Sequence, residues 1–241
     1  MIRDYVSLDL ETTGLDPKKD KIIEIGAVRV RDGRVREHFT TLVNPGRALS
    51  DTVINLTGIR DKELKEAPYI EDILSDLLSF IGEDILLGHS VLFDYSFVKK
   101  AAVNAKLSFE KRAVDTLKIA RKYLPDLESR ALSALCKHYG IAYCPHRAYE
   151  DAIATHELHL KLYNEFKDRE EAGTVFEPHE MIYQVKREGP ATPRQKERLA
   201  RLVEERKIVL KVDINHITKN EASRLTDYIL SGATDKINLM Y

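Results

Sequence analysis

Residues 5–15, YVSLDLETTGL, form the first apolar run of the chain and carry two carboxylates, Asp9 and Glu11, within it. In a β-strand successive side chains point to opposite faces. Val6, Leu8 and Leu10 therefore share one face, and Tyr5, Ser7, Asp9 and Glu11 the other. Two residues on one strand face stand about 7 Å apart, so the acids repel unless positive charge lies between them. An edge strand with one solvated face, or acids held by Lys or Arg, also accounts for the pair when this segment is taken alone.

Working outward, TTGLDPKKD is a Gly/Pro/Asp loop. KIIEIGAVRV then alternates, turns at Asp32-Gly33 and returns as RVREHFTTLVNP, a hairpin pattern that extends the first strand into a meander. DTVINLTGIRDKEL reads as short helical pieces with a turn at Gly58. In YIEDILSDLLSFIG the apolar residues recur at helical spacing and stop at Gly82. DILLGHS and RAVD are short strands, each leading into a helix, FDYSFVKKAAVNA and TLKIARKYL. ALSALCKHYGI is a helix closed by Gly140. YEDAIATHELHLKLYNEFKDR is the longest helical pattern, with Ala152, Leu158, Leu162 and Phe166 facing inward. Strands first, then strands alternating with helices, predict an α/β fold with a mixed sheet flanked by helices.

Composition changes near residue 168. DREEAGTVFEPHEM is polar and without a clear period, so residues 169–189 read as a linker. Residues 190–241 read as a small, mainly helical appendage, with a Lys/Arg-rich first helix and a Thr218/Glu221 capping box before the second. The mixed charge of the first helix suits a solvated face or a contact to nucleic acid or protein.

The 241 residues allow one sizeable domain plus this appendage, and the net charge of −1 shows no global basic signature. Cys136 and Cys144 stand in no metal or redox spacing and read as free thiols of a reducing compartment. With no signal-like N-terminus and no run of membrane-spanning length, the chain reads as cytoplasmic, with no membrane partner.

Two further places resemble the opening stretch. GHSVLFD puts Asp94 where a helix follows a short strand, and HRAYED puts Asp151 in the first turns of the longest helix. Taken singly, an acid near a helix N-terminus is explained by the helix dipole. Together, Asp9, Glu11, Asp94 and Asp151 lie on elements able to converge at one end of a sheet, where four clustered carboxylates require bound cations. A set of oxygen donors without Cys points to two divalent cations, Mg²⁺ or Mn²⁺, and such a pair suits phosphoryl chemistry. His146, five residues before Asp151, has a neutral-range imidazole suited to take the proton from an attacking water.

In order along the chain, SLDLETTGLDP, KIIEIGAVRVRDG, TLVNPG, LTGI, GHSVLFD, VDTLKIAR and HRAYEDAIAT resemble the DEDDh (DnaQ-like) 3′–5′ exonucleases over about residues 4–165. The nearest resemblance is to the epsilon-type proofreading exonucleases of bacterial DNA polymerase III. It implies an RNase H-like fold with a mixed five-stranded sheet, Asp9, Glu11, Asp94 and Asp151 as metal ligands, and His146 as general base. His five residues before the last Asp separates this branch from the DEDDy branch; Arg147 holds the alternative position and Tyr149 is misplaced for it. The resemblance also implies that Thr12, Thr13 and Gly14 approach the terminal nucleotide, and that His89 and Ser90 contact substrate. Many members have Asn where this chain has Ser90.

The function expected is metal-dependent hydrolysis at the 3′ ends of single-stranded DNA, releasing nucleoside 5′-monophosphates in proofreading or repair, with a DNA polymerase subunit as a partner. The alternatives are an RNA 3′–5′ exonuclease of the RNase T or oligoribonuclease kind, and a non-catalytic module that binds a nucleic-acid end or a polymerase. The nuclease domain is expected to span residues 1–168.

Overall fold

The computed structural model describes residues 2–142 and 144–232. Strand β1 (Tyr5–Thr12) lies inside a mixed sheet of order β3-β2-β1-β4-β5-β6. Strands β2 (Ile22–Arg31) and β3 (Arg34–Leu42) extend it antiparallel on one side. Strands β4 (Leu86–Gly88) and β5 (Arg112–Asp115) run parallel to β1 on the other. The β2–β3 turn is the expected Asp32-Gly33 pair, with φ of 53° and 72°, the two left-handed residues that a two-residue hairpin needs to match strand twist.

Helix α1 (Asp51–Thr57), α2 (Asp61–Leu64), α3 (Ile70–Ile81) and α4 (Leu92–Asn104) follow the meander. They are succeeded by α5 (Thr116–Tyr123), α6 (Leu132–Tyr139) and α7 (Ala148–Phe166). Gly58, Gly82 and Gly140 cap α1, α3 and α6 where the apolar periodicity stops.

Both faces of β1 are buried, which removes the edge-strand explanation for its acids. Val6, Leu8 and Leu10 pack with Leu77, Ile81, Tyr95, Val98 and Ala102 from α3 and α4. Tyr5 joins Leu87, Val114, Ile119, Leu135, Leu158 and Leu162 on the opposite face. The short strands obey the same alternation: Leu86 and Ala113 serve the first cluster, Leu87 and Val114 the second.

The sheet has six strands rather than five. Within residues 169–189, helix α8 (Ala172–Phe176) places Ala172 and Phe176 in the second cluster, and β6 (His179–Glu180) pairs antiparallel with β5. This segment lacks periodicity because its two elements span five and two residues, too few for a pattern to register.

Beyond it, α9 (Pro193–Arg206) and α10 (Lys219–Leu230) close a separate small core of Leu199, Leu202, Ile217, Leu225 and Ile229. Thr218 and Glu221 form the expected capping box, and Thr192 with Gln195 forms another on α9. Residues 233–241 of the expected appendage lie outside the described residues.

Candidate active site

The polar face of β1 lies along α7, and each of its residues meets a successive part of that helix. The Tyr5 hydroxyl and His156 Nδ1 are 2.7 Å apart, and Ser7 Oγ donates to the Ala152 carbonyl at 2.7 Å. Further along the strand, Asp9 and Glu11 reach Asp151, and one carboxylate oxygen from each lies within 4.8 Å of the other two. A two-residue strand step and one helical turn are of similar length, so the two rows stay matched up to the acids.

Burial is the main reason the Asp9 carboxyl is pushed well above the ordinary carboxylate range, with Asp94, Asp151, Glu11 and Glu24 adding repulsion. Glu11 is pushed up to about 8, again mainly by burial, then by Asp151 and Glu24, with Arg147 acting in the opposite sense. Three converging oxygen donors that resist carrying their own charge together are the donor set of a hard divalent cation. The residues present thus fit an acidic metal site.

Asp94 enters from the first turn of α4 and is buried. Its Oδ1 accepts the Leu10 N–H at 3.0 Å. β4 pairs with β1 at Val6 and Ser7, and the carboxylate serves a β1 donor beyond that pairing. Burial raises the Asp94 carboxyl well above its ordinary range, and backbone hydrogen bonds counter this while Asp115 and Glu11 reinforce it. It adjoins the cluster beside Asp9, outside the group of three closest oxygens. His146 is half-buried in the loop entering α7, at φ 66°.

Two residues that sequence reasoning passed over, Gly26 and Glu24, hold the start of α7 against the sheet together with Arg147. Gly26 pairs with Asp9 across the ladder, and a Cβ there would meet the Ala148 carbonyl carbon at 2.1 Å. Glu24, opposite Glu11, is buried and accepts from the Ala148 N–H at 3.0 Å. It also accepts from Arg147 Nε at 3.1 Å and Nη2 at 2.8 Å. The acid thus ties both the first N–H of α7 and the Arg147 guanidinium to β2. The only advance signal was an acid and a glycine inside the KIIEIGAVRV run.

The remaining expected contacts are engaged within the protein. His89 Nδ1 meets Thr116 Oγ1 at 2.9 Å and its Nε2 meets the Arg130 carbonyl at 2.9 Å. Burial lowers its pKa despite the Arg130 carbonyl and Asp115, so the neutral ring braces the β4–α4 junction. Ser90, at φ 72°, donates its N–H to Asp115 Oδ1 at 3.0 Å. Thr12 Oγ1 donates to the Gly14 carbonyl at 2.7 Å, and Thr13 Oγ1 to Asp20 Oδ1 at 3.2 Å. A Cβ at Gly14 would lie 2.5 Å from Asp20 Oδ2, so a side chain there would displace the Asp20 carboxylate from the loop interior.

The RNase T family of exonucleases matches residues 6–159, from β1 well into α7. The chain belongs to this DnaQ-like exonuclease family. The family match contains all four acids and His146 and ends before the C-terminal appendage. Over 170 residues the chain is 40% identical to the PolC-type DNA polymerase III of Oceanobacillus iheyensis, covering 69% of this chain and 12% of that protein. It thus spans about an eighth of the length of such polymerases. Over 163 residues it is 37% identical to the DNA polymerase III epsilon subunit of Aquifex aeolicus, covering 67% of this chain and 81% of the subunit. Exonuclease X, solved with 5′-overhanging duplex DNA, superposes with a TM-score of 0.55 at 25% identity over 68% of this chain and 93% of that one. The nuclease domain of 3′hExo, at 19% identity and a TM-score of 0.61, shares the fold over 75% of this chain and 98% of that domain. Among the described residues no helix is long and apolar enough to cross a membrane.

Proposed function

We propose that this exonuclease removes nucleoside 5′-monophosphates from the 3′ ends of single-stranded DNA, using two Mg²⁺ or Mn²⁺ ions. The convergence of Asp9, Glu11 and Asp151 oxygens within 4.8 Å carries the reading. Asp9, Glu11 and Asp151, with Asp94 beside them, would hold the cations. When bound, these ions lower the pKa of water and neutralise the anionic leaving oxygen.

The chain's own residues do the rest. His146 accepts the proton of the attacking water at a ring nitrogen. The backbone of Thr12, Thr13 and Gly14 approaches the terminal nucleotide, a role supported by the small, internally hydrogen-bonded loop they form. Ser90 lies at the carboxyl ends of β4 and β5 and is oriented by Asp115, suited to a phosphate. His89 supports that turn from behind. DNA is favoured over RNA because the relatives above are DNA polymerase III chains. The same likeness supports service as a proofreading unit alongside a polymerase subunit. Cys136 and Cys144 are both free thiols, which suits the cytoplasm. Residues 1–168 are read as the nuclease domain, 169–189 as a connecting segment whose α8 and β6 pack onto that domain's core and sheet, and 190–241 as an accessory module.

The test is digestion of 5′-labelled single-stranded DNA, a mismatched primer-template and RNA of the same sequence, with Mg²⁺ or Mn²⁺ and with chelator. A descending single-nucleotide ladder from the DNA substrates, absent in chelator, is expected. Intact DNA beside shortened RNA would move the substrate to RNA, and tight binding without turnover at either ion would end the catalytic reading.

A further inference from the structure

The loop carrying Thr12, Thr13 and Gly14 is gripped from outside the nuclease fold. Its two feet are tied together: Thr13 N donates to the Lys21 carbonyl at 2.9 Å, and Lys21 N donates to Thr13 Oγ1 at 3.0 Å. Asp20 braces the interior by accepting from Thr13 Oγ1 and, at 2.9 Å, from Asp16 N. Nothing in this local set requires the C-terminal module.

Glu221, in the first turn of α10, reaches the same loop. It is 3% exposed, and its Oε1 lies 2.6 Å from Arg47 Nη2 and 3.3 Å from Lys21 Nζ. Arg47 in turn donates from Nη1 to the Lys19 carbonyl at 3.1 Å. One buried acid therefore holds the loop at Lys21 directly and at Lys19 through Arg47. Burial raises the Glu221 carboxyl, but Lys21, Thr218 and Arg47 outweigh it and leave it below the ordinary range.

The module is seated for this task by contacts beside Arg47. Ala48 N donates to the Lys211 carbonyl at 2.9 Å, and Tyr69 stacks on His216 with ring centroids 3.6 Å apart. The Tyr69 hydroxyl donates to Asp213 Oδ2 at 2.8 Å. These contacts fix the module's position on the domain, so the Glu221 pairing acts on the loop rather than hanging from a mobile tail.

We propose that Glu221 is a positioning residue that holds the 13–21 loop through Lys21 and Arg47, so that the C-terminal module sets how well the nuclease engages a 3′ end. The proposal rests on the function given above for its effect on substrate, and on geometry alone for its effect on the loop. Glu221→Gln isolates the charge. It keeps an oxygen for the Thr218 N–H, which Glu221 Oε2 now accepts at 2.8 Å, and Gln serves a capping box as Glu does. Arg47→Gln breaks the same link from the nuclease side, and Lys196→Met removes only a contact inside the module, to the Asn215 carbonyl.

Hydrogen exchange of the full chain reads the loop, and oligonucleotide kinetics reads the site. Glu221→Gln and Arg47→Gln should each speed exchange across residues 13–21 on the order of tenfold while β1 and β4 keep their protection. They should raise KM for a single-stranded 3′ end on the order of tenfold with kcat nearly unchanged, and Lys196→Met should do neither. Unchanged loop protection in both link-breaking variants would overturn the proposal, as would a fall in kcat with constant KM. A wild-type chain that digests no oligonucleotide would refute the nuclease reading instead, and the loop's exchange would still decide whether Glu221 holds it.

Discussion

Gly26 faces Asp9 across the β1–β2 ladder, and the space where its side chain would stand is filled by the backbone of Ala148 at the start of α7. That approach is what brings Asp151, three residues further along the helix, to the strand acids. Gly26→Ala should push the helix start outward. The expected cost is about 1–3 kcal/mol of stability. Displacing Asp151 by about 1 Å should lower kcat about 100-fold. Thermal unfolding and oligonucleotide digestion on the same preparation would check both, and a fully active Gly26→Ala protein would contradict the packing argument.

The acids are held together at a cost to the metal-free fold. Asp9→Asn removes an ionisable carboxyl, half-buried in the cluster, whose charged form is opposed by burial and by Asp94, Asp151, Glu11 and Glu24. In chelator its unfolding midpoint should rise by a few degrees, corresponding to about 1 kcal/mol. Nuclease activity with Mg²⁺ should fall by about 100-fold or more. A variant that lost stability in chelator and kept activity would contradict both halves.

Glu11 makes metal-free stability depend on pH. Its folded-state pKa of about 8 lies above its ordinary value of about 4.5, so between those values the folded chain binds more protons than the unfolded chain. Stability from this group is full below about 4.5 and is lost as pH rises through about 8, with a limiting slope of about 1.4 kcal/mol per pH unit. Denaturant unfolding in chelator from pH 5 to 8.5 should show that decline, and added Mg²⁺ or Mn²⁺ should flatten it. At pH 7 cation binding should also release protons, measurable by calorimetry in buffers of different ionisation enthalpy. A flat profile in chelator would exclude the raised value.

His146 occupies a left-handed backbone position, φ 66°, which Asn also tolerates. His146→Asn therefore tests the imidazole without adding backbone strain. Its kcat should fall about 100- to 10,000-fold, while calorimetric cation affinity and the unfolding midpoint stay near wild type. Loss of cation binding instead would assign the ring to the metal site.

Local pattern carried much of this architecture. The alternation in YVSLDLE placed Asp9 and Glu11 on one face, and the stops at Gly58, Gly82 and Gly140 end helices as their φ values and caps require. The Asp32-Gly33 hairpin and the inward residues of α7 followed from turn chemistry and the 3.6-residue period. The quoted motifs also located the family. By contrast, α8 and β6 gave no periodic signal, and the sheet count was one strand short. His89 stood in a motif suggestive of substrate, yet its ring is spent on Thr116 and Arg130, residues far along the chain that no local reading could pair with it.

The amino-acid order by itself determined which residues form each main strand and helix and which acids could gather, because hydrophobic period, caps and turns act over a few neighbouring residues. Tertiary structure alone decided that Gly26 admits α7, that Glu24 and Arg147 anchor its start, and that Glu221 grips Lys21 and Arg47. Those relationships join groups more than a hundred positions apart, where burial, close approach and unscreened charge set the energy and sequence spacing carries no trace of them.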